Sequence, residues 1–376
     1  MQILMTSDTF LPRLGGAEYH VSYLRRELRR MGHGVVLMTT ERGQTDDEEG
    51  IIRWPYSGVR FLLYLFFAVW RASRGVDLIH SHFSYRLAFL AGTVARLRRV
   101  PFVITQHGLG LLPQAGATKV QNIVFRFWRF WSMRMAHRII STSEDLSREI
   151  RTLGFGHKIV SIPNGYDPER FFPLPSPPPP LVILTVRRLV PKTGVQYLIS
   201  ALPALLERYP HLRCVIVGGG RLKEQLMALT ENFKVSDAVE FAGDVPHERL
   251  IDFYRQAHVV VFPSTAESTS LACIEAMACG RVIVASRVGG LIELLGRNEE
   301  RGYLVSITDT EHSSYDAPPT LSQDRIRHLA DAILRALEAE EEAQGKAQKA
   351  SNYVQSRFSW RLLVQQTVCE VYDPLL

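Results

Sequence analysis

The chain has 376 residues, 46% hydrophobic and 22% charged, with a formal net charge of +6. At about 100–200 residues per domain this predicts two globular domains, and the composition excludes a disordered chain. Residues 1–172 hold 23 Lys+Arg against 14 Asp+Glu and the remainder 21 against 24, so the first half carries +9 and the second −3. A basic half suits nucleic acid, an anionic membrane surface or a phosphorylated substrate, and charge alone does not choose among them.

Cys214, Cys273, Cys279 and Cys369 lie in the second half without a CxxC pair or a histidine at zinc-ligand spacing. They are expected to be reduced, packed thiols of a cytoplasmic protein. The first residues lack the basic and apolar regions of a signal peptide and read as an immediate strand. The longest apolar stretch, Phe61 to Trp70, is ten residues. A spanning helix needs about 20, so none is expected.

In chain order, the first half predicts strands at Ile3–Thr6, Gly34–Thr39, Asp77–Ser81, Pro101–Thr105, Arg138–Ser141 and Lys158–Ile162, with helices such as Ala17–Met31 and Tyr85–Leu97 between them. This repeated βα order implies a mostly parallel sheet with helices on both faces. Residues 173–180, six of them proline, can form neither helix nor central strand and read as a linker. The second half restarts the pattern with Leu181–Val186, a helix over 194–208, then Leu212–Val217, Val239–Phe241, His258–Phe262, Val282–Ala285 and Tyr303–Val305. From about Leu321 it turns helical, and a last helix lies near Trp360–Tyr372. The fold class is therefore α/β, with two tandem doubly wound Rossmann-like domains facing a cleft. Ligands of such sheets sit at the carboxyl ends of the strands.

Candidate chemistry falls at those ends. Gly15 and Gly16 follow the first strand and open a helix, which is either a tight turn or a close backbone approach to an anion. Arg187, Arg188 and Lys192 put three cations in one strand-end loop, a composition that suits a diphosphate. Gly218 to Gly220 form a third glycine turn, which either leaves room for a ligand or packs. Glu267 follows a buried-looking strand, and Glu275 lies eight residues later in the next helix. A helix start near Thr269 would offer the amides of Thr269, Ser270 and Leu271 to an anion, with a carboxylate on each side. That pattern describes a nucleotide-sugar. His107 in Gln106-His107-Gly108 and Asn164 in Pro163-Asn164-Gly165 also stand at strand ends.

Taken together, Gly15-Gly16-Ala17-Glu18, Gly32-His33, Gln106-His107-Gly108, Pro163-Asn164-Gly165, Arg188-Leu189 and the Glu267/Glu275 pair resemble the retaining glycosyltransferase family 4, of GT-B fold. The resemblance implies an acceptor-binding domain over 1–172, a donor domain over 181–355 and a C-terminal helix, 356–376, that crosses back to the first domain. It implies that Glu275 binds the donor ribose and Glu267 the transferred sugar, and that Arg188 and Lys192 hold the diphosphate together with amides of Ser270 and Leu271 and the loop at Gly16. Gly15, Gly218 and Thr269 complete the donor site, and the base lies near Val245. His107, Glu18 and Asn164 face the acceptor or the cleft. The sequence departs from the family pattern at Arg187, where a glycine is usual, at Thr193, where a lysine is usual, and at Ser270.

On this reading a hexose moves with retention from a nucleoside-diphosphate sugar to a glycan or lipid-linked acceptor. No cofactor is expected. No D-x-D element stands in the sequence, and no metal is expected where cations hold the diphosphate. An NDP-sugar 2-epimerase would need carboxylates placed for proton abstraction among Glu18, Asp77 and Glu144, and an inactive sugar-binding protein would not need the intact Glu267, Glu275 and Arg188. Nucleic acid is not expected as a partner, since no recognition module is present. The stretches Arg60–Trp70 and Val124–Arg134 mix aromatics with arginine. They read either as membrane-surface helices, with the protein peripheral on the cytoplasmic face, or as core helices edged by arginine.

Overall fold

The computed structural model describes residues 1–13, 15–42, 50–54, 61–83, 85–108, 119–307 and 322–376. Leu14 of the first glycine loop and Arg60 of the first aromatic stretch lie outside them. The chain divides into two compact units, Met1–Gly165 with Trp360–Leu376, and Tyr166–Ser359.

The first unit is built on strands β1 (Gln2–Ser7), β2 (Gly34–Thr39), β3 (Ile51–Arg53), β4 (Leu78–His82), β5 (Phe102–Gln106), β6 (Arg138–Ser141) and β7 (Ile159–Ser161). They pair in parallel in the order β3-β2-β1-β4-β5-β6-β7, with Ile3 registered against Val35 on one side and Leu78 on the other. Helices α1 (Gly16–Arg30), α2 (Phe61–Ala72), α3 (Arg86–Arg98), α4 (Lys119–Met135) and α5 (Glu144–Thr152) connect them. Strands covered on both faces read as apolar runs. That rule located all of them except β3, a three-residue edge strand only half-buried.

The second unit has β8 (Val182–Val186), β9 (Arg213–Val217), β10 (Val239–Gly243), β11 (Val259–Phe262), β12 (Val282–Ser286) and β13 (Tyr303–Val305). Their parallel order is β10-β9-β8-β11-β12-β13. Helices α6 (Val195–Arg208), α7 (Lys223–Asn232), α8 (Leu250–Gln256), α9 (Leu271–Ala278), α10 (Gly289–Leu295), α11 (Gln323–Glu338) and α12 (Glu340–Arg357) cover both faces. In each sheet the chain order reverses once, between β1 and β4 and between β8 and β11. Those are the points where open α/β sheets hold ligands.

Helix α13 (Trp360–Thr367) and the π turn Val368–Tyr372 that follows belong to the first unit. Trp360 is buried, stacked on Tyr23 with ring centroids 5.6 Å apart and edge-on to His20 at 4.8 Å. Residues 356–359 stay with the second unit.

The division falls at Gly165/Tyr166, ahead of the expected 172, and the proline run belongs to the second unit. The cause is Arg281, whose buried guanidinium donates to the carbonyls of Leu174 (2.6 Å) and Pro175 (2.7 Å), while Leu174 N donates to Cys279 O. Proline removes donors but not acceptors, and a buried arginine can use them. Of the cysteines, Cys214, Cys273 and Cys279 are buried, and Cys369 is exposed rather than packed. Because Arg281→Met leaves these carbonyls unpaired, it should lower stability by about 2–4 kcal/mol in denaturant melts of the full chain. A loss within about 0.5 kcal/mol would show that Arg281 does not hold the proline run.

Candidate active site

The second unit gathers the expected donor residues at the carboxyl ends of β8 to β11. After β8 the chain runs through Arg187 and Arg188 into a single 3-10 turn, Pro191–Thr193, that leads to α6. This loop is packed from two sides. Gly194, at φ +68°, has no room for a Cβ, which would lie 1.7 Å from Pro263 O. Thr265 N donates to Lys192 O at 2.8 Å. Gly218, at φ +124°, lies under the same loop, where a Cβ would sit 2.1 Å from Arg187 O. The third glycine turn is therefore packed against the cationic loop.

The three cations of that loop are in different places. Arg188 is exposed, and Lys192 is half-buried, with burial and the charges of Arg187 and Arg188 pulling its pKa down against the pull of Glu267. Arg187, which stands where the family usually has glycine, reaches across the sheet's switch point. Its guanidinium donates to Glu267 Oε2 and to Ser264 Oγ, and to Ser270 Oγ at 3.1 Å. Burial pushes the Glu267 carboxyl up, but Arg187, Lys192 and Arg188 together outweigh it and hold the pKa below the ordinary value. Glu267 is thus a largely enclosed carboxylate kept ionised by cations.

Helix α9 begins at Leu271, later than expected. Ser270 is its N-cap, with Oγ accepting from Cys273 N at 3.3 Å, and Thr269 precedes the helix. The first-turn amides are therefore those of Leu271, Ala272 and Cys273. A serine hydroxyl satisfies an end amide in the cap geometry, so Ser270 and not Thr269 fixes the start. Gly290 at the head of α10 packs onto this loop, its N–H donating to Glu267 O. Glu275 lies in the second turn and is buried. Its Oε1 meets His247 Nε2 at 2.6 Å, and its Oε2 accepts from Tyr254 Oη at 3.3 Å. Val245 is half-buried in the loop after β10, beside Asp244, which accepts from Gly219 N at 2.7 Å. His247 and Tyr254 carried no sequence signal because they reach Glu275 from elements 28 and 21 residues away.

The first unit places its expected residues at the carboxyl edge of its own sheet. Gly15 caps α1 and Gly16 opens it, and the Glu18 carboxylate folds back over Gly15, its Oε2 2.3 Å from where a Cβ would stand. Arg13 lies 3.8 Å from Glu18. Asp8, just past β1, was not anticipated. Burial raises its pKa to about 6 against the pull of Arg86 and an amide of Leu87.

His107 is one of four packed histidines. His82 Nδ1 and His107 Nε2 share a hydrogen bond of 3.0 Å, and His20 lies edge-on to His107 at 4.5 Å. Asn164 Oδ1 accepts from His20 Nδ1 at 2.9 Å. His80 spans from Tyr372 Oη (2.6 Å) to Thr105 Oγ1 (2.8 Å). The alternation His80-Ser81-His82 in a buried strand puts both rings on one face and was a readable signal. Among the described residues, His20, His82 and His107 form the group whose nitrogens could take a metal ion, all within 4.8 Å of one another.

Burial lowers the pKa of all four rings, to about 4 for His20 and about 3 for His80. They are neutral in the folded chain and gain a proton on unfolding below the ordinary histidine value of 6.5. Stability should therefore fall as pH drops from about 6.5 toward 4. Unfolding free energies measured from pH 7 to 4.5 check this, and His80→Asn should flatten the slope. A pH-independent stability across that range would contradict the buried neutral cluster.

Residues 14–170 match the family described as Glycosyltransferase Family 4, and residues 167–316 match Glycosyl transferases group 1, so together they account for most of the chain. A phosphatidylinositol N-acetylglucosaminyltransferase subunit of Arabidopsis thaliana is 29% identical over 78% of this chain and 69% of its own length. The corresponding protein of Homo sapiens is 27% identical over 99% of this chain and 75% of its own length. The structure of Anabaena HepE in complex with UDP-glucose superposes with a TM-score of 0.79 at 19% identity, covering all of both chains, and carries the same fold. With two doubly wound halves of a GT-B fold and family matches over both, the chain belongs to glycosyltransferase family 4.

Proposed function

We propose that the protein transfers a hexose from a nucleoside-diphosphate sugar to a glycan or lipid-linked acceptor with retention of configuration. The observation that carries this reading is the switch point of the second sheet. There Arg187, Arg188 and Lys192 stand with Glu267 beside the amino end of α9. The Anabaena neighbour's complex with UDP-glucose and the phosphatidylinositol-directed transferases among the relatives support the donor class and an acceptor near lipid.

In this reading Arg188, Lys192 and the amides of Leu271 and its neighbours receive the charge that develops on the diphosphate as its bond to the anomeric carbon breaks. The acceptor oxygen bonds to that carbon on the same face, and its proton passes to the departing phosphate oxygen. Glu267 uses its Oε1 for sugar hydroxyls while Oε2 stays with Arg187. Arg187 is thus a positioning residue, taking over the space that a glycine would leave open. Glu275 accepts two bonds from protein, and a carboxylate has about four lone-pair sites, so capacity for ribose hydroxyls is left. His107, neutral through burial, faces the sugar or the acceptor, together with Asn164 and Glu18. Diphosphate charge met by these cations calls for no metal ion. Of the carboxylates an epimerase would require, Asp77 is engaged with Gln2 N and Glu144 with Arg151, which leaves Glu18, 3.8 Å from Arg13, without a second carboxylate among those three.

A panel of UDP-, GDP- and ADP-sugars, with release of nucleoside diphosphate as readout and with or without EDTA, should find one donor turned over in both conditions. Glu267→Ala should cut kcat/KM by about 10²–10³. Full activity in that variant would displace Glu267 from the site. Arg187→Met removes the nearest cation and leaves burial to raise the Glu267 pKa. The acid limb of the pH–activity profile should then move upward, toward neutral, whereas an unmoved limb would mean that Arg187 does not set the charge of Glu267.

A further inference from the structure

Three helices of the first unit share one face of its sheet and carry an unusual surface. Helices α2, α3 and α4 pack side by side. Helix α4 turns much of its apolar surface outward. Its inward face carries Met133, Ser132 and Arg129, whose guanidinium pairs with the buried Glu149 of α5, 2.6 Å away. Its outward face carries Val120, Ile123, Val124, Phe127, Phe130 and Trp131, all exposed. Their spacing of three, four and seven residues makes one continuous stripe. Helix α2 repeats this with Leu63, Tyr64 and Phe67 outward, each about 60% exposed or more, while Leu65 and Val69 fill the core.

Charge completes the pattern. Neither α2, α3 nor α4 contains an aspartate or glutamate, and Asp77 is the one acidic residue between Phe61 and Ser143. Helices connecting parallel strands run opposite to them, so the three carboxyl ends meet at one edge. That edge exposes Arg71 and Arg74, Arg96 and Arg99, and Arg134. Arg126 is exposed beside the α4 stripe, and the Arg134 guanidinium lies 5.8 Å over the Trp131 ring.

We infer that this three-helix face docks on the surface of an anionic lipid bilayer, with the aromatic stripe in the interfacial region and the arginines on lipid phosphates. Aromatic and aliphatic side chains gain by leaving water, arginine stems snorkel to phosphate, and the absence of carboxylates removes repulsion from the headgroups. Among the described residues no helix is long and apolar enough to cross a membrane, so the contact is a surface one. The inference does not rest on the transferase reading, because docking requires neither donor nor acceptor.

The test is flotation of the full chain with vesicles of phosphatidylcholine alone or mixed in equal parts with phosphatidylglycerol, without sugar nucleotide. The chain should float with the anionic vesicles and be released by high salt. Arg126→Glu with Arg134→Glu, and separately Phe127→Ser with Trp131→Ser, should each weaken binding by about tenfold or more with the melting temperature unchanged. No flotation with anionic vesicles at low salt, or equal flotation of wild type and both variants, would overturn the inference. So would a wild type that is dimeric and lipid-free but becomes monomeric on Phe127→Ser with Trp131→Ser, which would assign the face to a second copy of the chain.

Discussion

The ion pair between Arg187 and Glu267 joins the ends of β8 and β11, the two strands where the order of the second sheet reverses. Both groups are nearly removed from water, so each would be costly alone and each is needed for the other. The surrounding structure follows from that requirement. Ser264 and Ser270 supply further acceptors to the guanidinium, and Ser270 at the same time caps α9. Gly194 and Gly218 let the backbone press close enough to bring the arginine across. Ionised carboxylate, helix amides and cationic loop thus come to one edge of one sheet.

The first unit solves a different problem at its own carboxyl edge. Four imidazoles are packed there, and burial keeps them neutral. Hydrogen bonds to Asn164, Thr105, Tyr372 and between His82 and His107 satisfy part of their polar surface. Tyr372 and Trp360 come from the last segment of the chain, so this cluster is complete only when that segment has packed. Docking of the C-terminal helix and the state of His107 are therefore linked physically.

Much of this was legible from sequence because parallel strands buried on both faces leave uninterrupted apolar runs. β2, β6 and β13 coincide with the ranges read from those runs, and the place of Glu267 after a strand and of Glu275 in the helix that follows came from them. What was not legible depended on distant partners. Arg187 read as a departure from a glycine, since nothing local shows that a guanidinium there meets a carboxylate 80 residues on. The proline run read as a linker because its acceptors are answered by Arg281, over a hundred residues away. The aromatic stretches were ambiguous between core and surface. Only burial, residue by residue, shows that α4 turns Arg129 inward to Glu149 of α5 and Phe127, Phe130 and Trp131 outward.

The basic first half and the acidic-leaning second half now have separate causes. The second concentrates a few cations at one strand edge, where a diphosphate would meet them, and the first spreads its arginines along a carboxylate-free helical face. The central claim concerns that strand edge, and calorimetric titration of the full chain with UDP, GDP and ADP tests it most directly. One of the three nucleotides should bind at a single site, with affinity lowered at least about tenfold by Arg188→Ala with Lys192→Ala. Binding that survives the double substitution unchanged, or no binding of any of the three at millimolar concentration, would contradict it.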